Sequence, residues 1–483
     1  MTTTSLAMPT AAELLPLLPE LVLIGSAFAL LIVDLFIGER HKVWTHFLSV
    51  LALVVVLAML ATGVGGQGVV LSGMFVRDAA ADVMKIAIVL MSTLTLVYGW
   101  SYLRERRLYK GEIPVLILFA TAGMMMLVSA GSLLMVYLGL ELLALCSYAL
   151  VAADRDNGKA TEAAMKYIVL GSLASGLLLY GMSLIYGATG SLHLDAINAA
   201  IDGSGERTLL LTGTVFMIAG VAFKLGAAPF HMWLPDVYQG ATAPIALFIS
   251  SAPKLAAFGM AWRLLEMGVG PLSDEWRWLL AGLAAVSLVV GNLMAIAQTN
   301  LKRMLAYSTV SHIGFLLMGL ASGDERGYAA ALFYVIVYAL MSTAAFGAII
   351  ALSRQGFEAE NIDDFKGLNA RNPKLAGMVL FTMVSLAGIP PFLGFWAKLL
   401  VLGAAVQGGM LWLALLGVAS AVVGCFYYLR VVKVMYFDEP VGAPIPAHND
   451  RVLGIVLGVN SLALLVLPLG LNPLLAWCQR AFM

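Results

Sequence analysis

The chain has 483 residues, 61% hydrophobic and 12% charged, with a formal net charge of zero and a mean hydropathy of +0.93. That composition excludes a soluble globular protein and specifies an integral membrane protein, and zero net charge offers no basic surface for nucleic acid. The apolar runs are continuous over about 20 residues rather than alternating over about ten, which selects membrane helices over a β-barrel.

Hydrophobic runs between polar or glycine-rich breaks predict fourteen spans, at 17–37, 44–63, 80–103, 113–128, 131–151, 160–187, 208–239, 242–266, 276–298, 302–321, 327–353, 374–407, 409–436 and 452–470. The first basic residue is Arg40, so the N-terminal run lacks the charge of a signal or transit peptide and is expected to remain as a helix. Glu20 and Asp34 fall near the ends of the first span, where solvated or capping roles are expected. Lys85 opens the third span beside Asp78 and Asp82, which predicts snorkelling or an interfacial ion pair.

Glu141 lies in the middle of the fifth span, in VYLGLELLALCSY, too deep to snorkel. A carboxyl there is expected to depend on a nearby lysine for its charge. Lys166 lies nearer the cytoplasmic end of the sixth span, a candidate for proton transfer that could instead snorkel outward. The methionine run Met124–Met126 reads as packing.

The spans 208–239 and 374–407 are too long: about 33 residues at about 1.5 Å rise would cover roughly 50 Å of a core about 30 Å thick. Pro229 and Pro235 in one, and Pro390 and Pro391 in the other, predict breaks. Lys224 ends the first half of the former and Lys398 follows the break in the latter. Between them Lys254 sits one residue after Pro253 in SSAPKLAAFGMAW. Buried lysines approach neutrality and suit proton transfer better than fixed charge. His231 and Asp236 follow the prolines of the seventh span, and His312 follows Tyr307, Ser308 and Ser311 in the tenth. An imidazole among hydroxyls can relay protons near neutral pH. Lys302 and Arg303 read as loop charges, with Lys302 a possible mouth of the path. Trp233 and Trp396 each follow a proline break, whereas the other seven tryptophans fall near span ends as an interfacial belt.

The loops 38–43, 104–112, 152–159, 299–303, 354–374 and 430–451 hold 2, 4, 2, 2, 4 and 3 of the 28 Lys and Arg, 17 in all. The opposite side holds six: Arg77, Arg207, Arg263, Arg277, Arg326 and Arg480. The positive-inside rule then puts both termini outside the cytoplasm. The remaining five, Lys85, Lys166, Lys224, Lys254 and Lys398, lie within spans.

Pro229-Phe230 aligns with Pro391-Phe392 at an offset of 162, and AAMKY at 163–167 with AALFY at 330–334 at an offset of 167. A five-helix unit repeated this way returns in opposite membrane orientation. The expected fold is all-α and integral to the membrane, a single polytopic domain over 1–483. It has a three-helix segment at 1–111, inverted five-helix repeats at 112–270 and 271–436, and a C-terminal helix in 437–483. Three cysteines without CxxC spacing, no metal-like histidine pattern and no GxGxxG or P-loop predict no cofactor or metal in the chain.

The stretches AFKLGAAPFHMWLPDVYQGATAP, NLKRMLAYSTVSHIGF and LAGIPPFLGFWAK together resemble the antiporter-like membrane subunits of proton-pumping NADH:quinone oxidoreductase, respiratory complex I. The resemblance covers most of the chain. The family pattern of a glutamate on helix five, lysines on helices seven and eight, and a lysine or glutamate on helix twelve is matched by Glu141, Lys224, Lys254 and Lys398. Lys398 argues against the paralogue with glutamate there, and the short stretch after the last span argues against the one with a long lateral helix. The remaining paralogue packs between another antiporter-like subunit and the small membrane subunits nearest the quinone-reducing arm.

The resemblance implies proton translocation in a bacterial inner membrane, with lipids, protons and the other membrane subunits of complex I as partners. NADH, FMN, iron-sulfur clusters and quinone would be used in other subunits. Glu141 and Lys224 would form a switchable pair, Lys254 the centre, His231 and His312 the relay, and Lys398 the exit. The alternative is a subunit of a multisubunit sodium/proton antiporter. Sodium needs several oxygen ligands, and only Glu141 is clearly a mid-membrane carboxylate. A structural spacer is the third reading, and five in-span lysines argue against it.

Overall fold

The computed structural model describes residues 14–38, 41–440 and 450–483. Arg40, counted above among the loop cations, and the first 13 residues lie outside them. Helices α1 (Leu18–Phe36), α2 (Val43–Ala61) and α3 (Ala79–Glu105) pack as an N-terminal group. A short hairpin, β1 (Gly68–Val70) with β2 (Phe75–Arg77), precedes α3. Asp78 caps α3 by accepting from the Ala81 amide at 2.8 Å, satisfying a donor that lipid could not.

Next come α4 (Glu112–Val128), α5 (Leu133–Val151), α6 (Gly158–Thr189), the short α7 (Leu194–Ile201) and α8 (Arg207–Leu225). The backbone then breaks over 226–232 before α9 (Trp233–Gly240). Helices α10 (Ala243–Ser250) and α11 (Ala252–Trp262) are separated at Ser251 (φ −113°, ψ −88°), and a π-helical turn, Arg263–Gly268, follows. The expected single span 242–266 is therefore kinked just before Pro253, which has no amide proton to continue the ladder.

Helices α12 (Ser273–Ile296), α13 (Leu301–Ala321) and α14 (Glu325–Leu352) follow, then α15 (Leu368–Arg371) and α16 (Pro373–Ala387). A second break over 388–392 separates α16 from α17 (Leu393–Gln407). Helices α18 (Leu411–Phe437), α19 (Arg451–Val466) and α20 (Leu471–Gln479) complete the described chain. Helices α10, α11 and α13 are surrounded by protein, and α14 nearly so, while α1, α6 and α19 turn much of their surface outward.

Among the described residues twelve helices are long and apolar enough to cross a membrane. With α4, and with the broken pair α16/α17 taken as one span, the described residues hold fourteen spans. This is an all-α, multi-pass membrane fold with two broken helices, as the sequence predicts.

The basic loops gather at one end, where Arg106, Lys159 and Lys302 line one cavity. At the other end Arg77 pairs with Asp82 at 2.7 Å and Arg263 with Asp78 at 2.8 Å.

Candidate functional site

Helix α8 ends at Leu225 and α16 at Ala387, both inside the protein, leaving carbonyls without intrahelical donors. A buried ammonium meets each end. Lys254 Nζ donates to Leu225 O at 2.8 Å and lies 3.5 Å from Lys224 O. Lys398 Nζ donates to Ala387 O at 2.8 Å and Leu386 O at 3.0 Å. Each cation thus caps the negative end of a helix dipole.

Glycine permits both contacts. Gly226 (φ +88°) and Gly388 (φ +83°) cap their helices in the left-handed region. A Cβ at Gly388 would come within 3.0 Å of Lys398 Nζ, and one at Gly226 within 2.3 Å of Leu234.

Trp233, buried at the start of α9, reinforces the first break. Its indole donates to Phe223 O at 2.9 Å, its ring stacks on Tyr167 at 4.6 Å, and Lys254 Nζ lies 4.9 Å from its centroid. At the second break Phe315 lies 5.5 Å from Lys398 Nζ.

Glu141, Lys224 and Lys254 form an electrostatic series: Glu141 acts on Lys224, and Lys224 on Lys254. Lys224 borders a small recess with Tyr148 and Ser175 between α5, α6 and α8. Glu141 Oε1 is buried without a hydrogen-bond partner among the described residues. Lys398 in turn acts on His312.

His312 is the best-held relay candidate. Its Nδ1 meets Tyr334 Oη at 2.7 Å and its Nε2 meets Tyr428 Oη at 3.0 Å. Tyr428 donates to Ser308 Oγ at 2.8 Å, so one hydroxyl joins two expected residues of α13. Tyr307 faces the other way, its ring 6.1 Å from half-buried His231. Of these tyrosines, Tyr334 stands one turn from Tyr338 on α14, and Tyr338 shares a 2.7 Å hydrogen bond with Thr309. Spacing four on an apolar helix marks a shared polar face. Nothing in the sequence points to His312 as what that face meets.

Several expectations are corrected. Lys85 does not snorkel: it is buried and pairs with Glu20 at 2.7 Å, with Phe75 4.8 Å beneath it. Glu20 is equally buried, because the β-hairpin covers this end of α3. Asp82 and Asp78 are engaged instead by Arg77 and Arg263. Lys302 is no loop charge but a buried residue in the first turn of α13. Lys166 lies outside the buried row, its side chain 45% exposed and shared between Glu162 and Asp236 at 2.8 Å each. Arg303 holds the other Asp236 oxygen at 2.7 Å.

Among the described residues no cluster of three or more His, Cys, Asp or Glu side chains could hold a metal ion. Buried lysines seated on broken helices, inside a fourteen-span bundle, define the antiporter-like class of membrane subunits. The family model described as "NADH:quinone oxidoreductase/Mrp antiporter, TM" matches residues 130–424. A second, "NAD(P)H-quinone oxidoreductase subunit 2 N-terminal", matches residues 13–99.

The NADH-quinone oxidoreductase subunit N of Xanthomonas euvesicatoria pv. vesicatoria (strain 85-10) is 78% identical over 482 residues, covering 100% of this chain and 99% of the relative. A chain of respiratory complex I from Thermus thermophilus with bound Aureothin superposes with a TM-score of 0.82 at 31% identity, covering 95% of this chain and 98% of that one. A chain of the membrane-bound sulfane sulfur reductase, an archaeal respiratory membrane complex, gives 0.85 at 26% identity over 97% and 96% of the two chains. The chain belongs to the subunit N family of NADH-quinone oxidoreductase.

Proposed function

We propose that this chain translocates protons across a bacterial inner membrane as part of complex I, driven by electron transfer from NADH to quinone in other subunits. Its partners are the neighbouring antiporter-like subunit and the small membrane subunits, with both termini on the non-cytoplasmic side. Residues 112–270 and 271–436 act as inverted repeats, flanked by a segment at 1–111 and a C-terminal helix in 437–483.

The observation that carries this reading is the row of buried cations, with Lys254 and Lys398 seated on the carbonyl ends of α8 and α16. A lysine held this way is stable when charged and can release its proton when the contact or a nearby charge changes. Glu141 approaching Lys224 favours the charged lysine; separation favours transfer to Lys254. His231, Tyr307 and His312 carry the proton onward, Lys398 is the exit site, and Lys166 stands at the periphery. The sodium/proton alternative needs several oxygen ligands for its cation, and among the described residues no group of three or more His, Cys, Asp or Glu side chains comes together.

The deciding experiment is Lys224→Ala in the assembled complex, with quinone-reductase turnover and proton uptake measured together in sealed vesicles. Fewer protons per electron are expected. Wild-type stoichiometry at normal turnover would sink the central role of that lysine.

A further inference from the structure

A polar cavity of about 570 Å³ opens on the face that carries the basic loops, and the mechanism above does not use it. At its floor sits Lys302, whose side chain is 3% exposed. The ammonium donates to Ala241 O at 3.2 Å and lies 3.1 Å from Glu358 Oε1. The second Glu358 oxygen accepts from Tyr102 Oη at 2.7 Å and Arg106 Nη2 at 2.8 Å. Arg106 also donates to Arg354 O and Phe357 O, so the end of α3 pins the 354–358 segment over the start of α13. That carboxylate comes from a connecting segment, yet it is fixed by two helices.

Inward from Lys302 the wall includes Thr242, whose buried hydroxyl has no partner among the described residues. On α9 the buried Tyr238 hydroxyl is likewise without a hydrogen-bond partner among the described residues, while Thr309 on α13 shares a 2.7 Å hydrogen bond with Tyr338, whose ring lies 5.1 Å from His312. Along α13 buried polar residues thus run from Lys302 at the cavity through Thr309 to the relay His312. An ammonium at the neck of such a path repels an arriving cation, more strongly in low-dielectric surroundings.

We propose that Glu358 is a positioning residue that keeps this neck open to protons by neutralising Lys302. The proposal rests on the proton-translocation reading. Tyr102, Arg106 and Lys302 face the Glu358 carboxylate directly, and Asp154, Lys159 and Glu360 complete the charged wall. With the ion pair intact, the neck is neutral and the cavity supplies protons to the Thr242 hydroxyl. Arg106 and Tyr102 keep the carboxylate from swinging away from Lys302.

The test uses the whole complex in sealed vesicles. Glu358→Gln leaves the ammonium unpaired, and proton uptake is expected to slow about tenfold, the order set by one charge-assisted hydrogen bond. The deficit should deepen at alkaline pH, where protons are scarce, and shrink at acidic pH. A purely structural defect would scale with the amount of assembled complex at every pH, and that result would overturn the proposal.

The double variant Lys302→Met/Glu358→Gln removes both charges and should return uptake to within about twofold of wild type. A double variant that assembles but stays as slow as expected for Glu358→Gln would also overturn it. If Lys224→Ala is defective while Glu358→Gln pumps normally, only this proposal falls. Normal pumping by Lys224→Ala would remove the reading beneath it.

Discussion

Lys254 meets the Leu225 carbonyl at 2.8 Å, the distance at which Lys398 meets that of Ala387. The two lysines hold unequal places in the chain: Lys254 follows its break by two short helices, α9 and α10, whereas Lys398 lies in the helix that directly follows its own. The proton site and the helix cap are the same atom, so moving the proton loosens the break. Lys398→Met should leave two carbonyls uncapped in a low-dielectric interior and lower proton uptake by about tenfold or more. Simultaneous measurement of quinone reduction and uptake in vesicles checks this.

Gly388→Ala should act on the same contact without removing charge. The left-handed backbone costs about 1–2 kcal/mol for a residue with a Cβ, and the new methyl would crowd Lys398. The variant complex should assemble in reduced amount and, where assembled, pump less per electron than wild type.

Tyr428→Phe deletes the hydroxyl that joins Ser308 to His312 while keeping the ring. Uptake should fall several-fold, of order three- to tenfold, with little change in assembly. A change in the imidazole bands of infrared difference spectra during turnover is the accompanying signature.

Lys166→Ala tests the boundary of the row. A half-exposed ammonium already shared by two carboxylates should be dispensable for pumping, because solvent screens it and Arg303 still holds Asp236. Stoichiometry and turnover close to wild type are expected.

The Glu20–Lys85 pair should behave as a structural staple. Lys85→Met strands a buried carboxylate, and breaking such a pair by one partner costs about 3–5 kcal/mol. Assembly measured by native electrophoresis should drop sharply. Adding Glu20→Leu should restore it, because the stranded charge is then gone.

The sequence by itself determined the membrane class, the fourteen spans, the two breaks and the burial of Lys224, Lys254 and Lys398. Each follows from local chemistry: apolar run length, proline without an amide proton, and a charge with no reach to water. The tertiary structure decided which carbonyl each lysine caps, that Tyr428 and Tyr334 hold His312, and that Lys85 and Lys302 are buried rather than interfacial. Glu20 and Lys85 are separated by a whole helix and a hairpin, and Lys302 finds Glu358 across α14. Burial of a residue near a span end depends on what folds over it, and that is set by distant segments of the chain rather than by its neighbours in sequence.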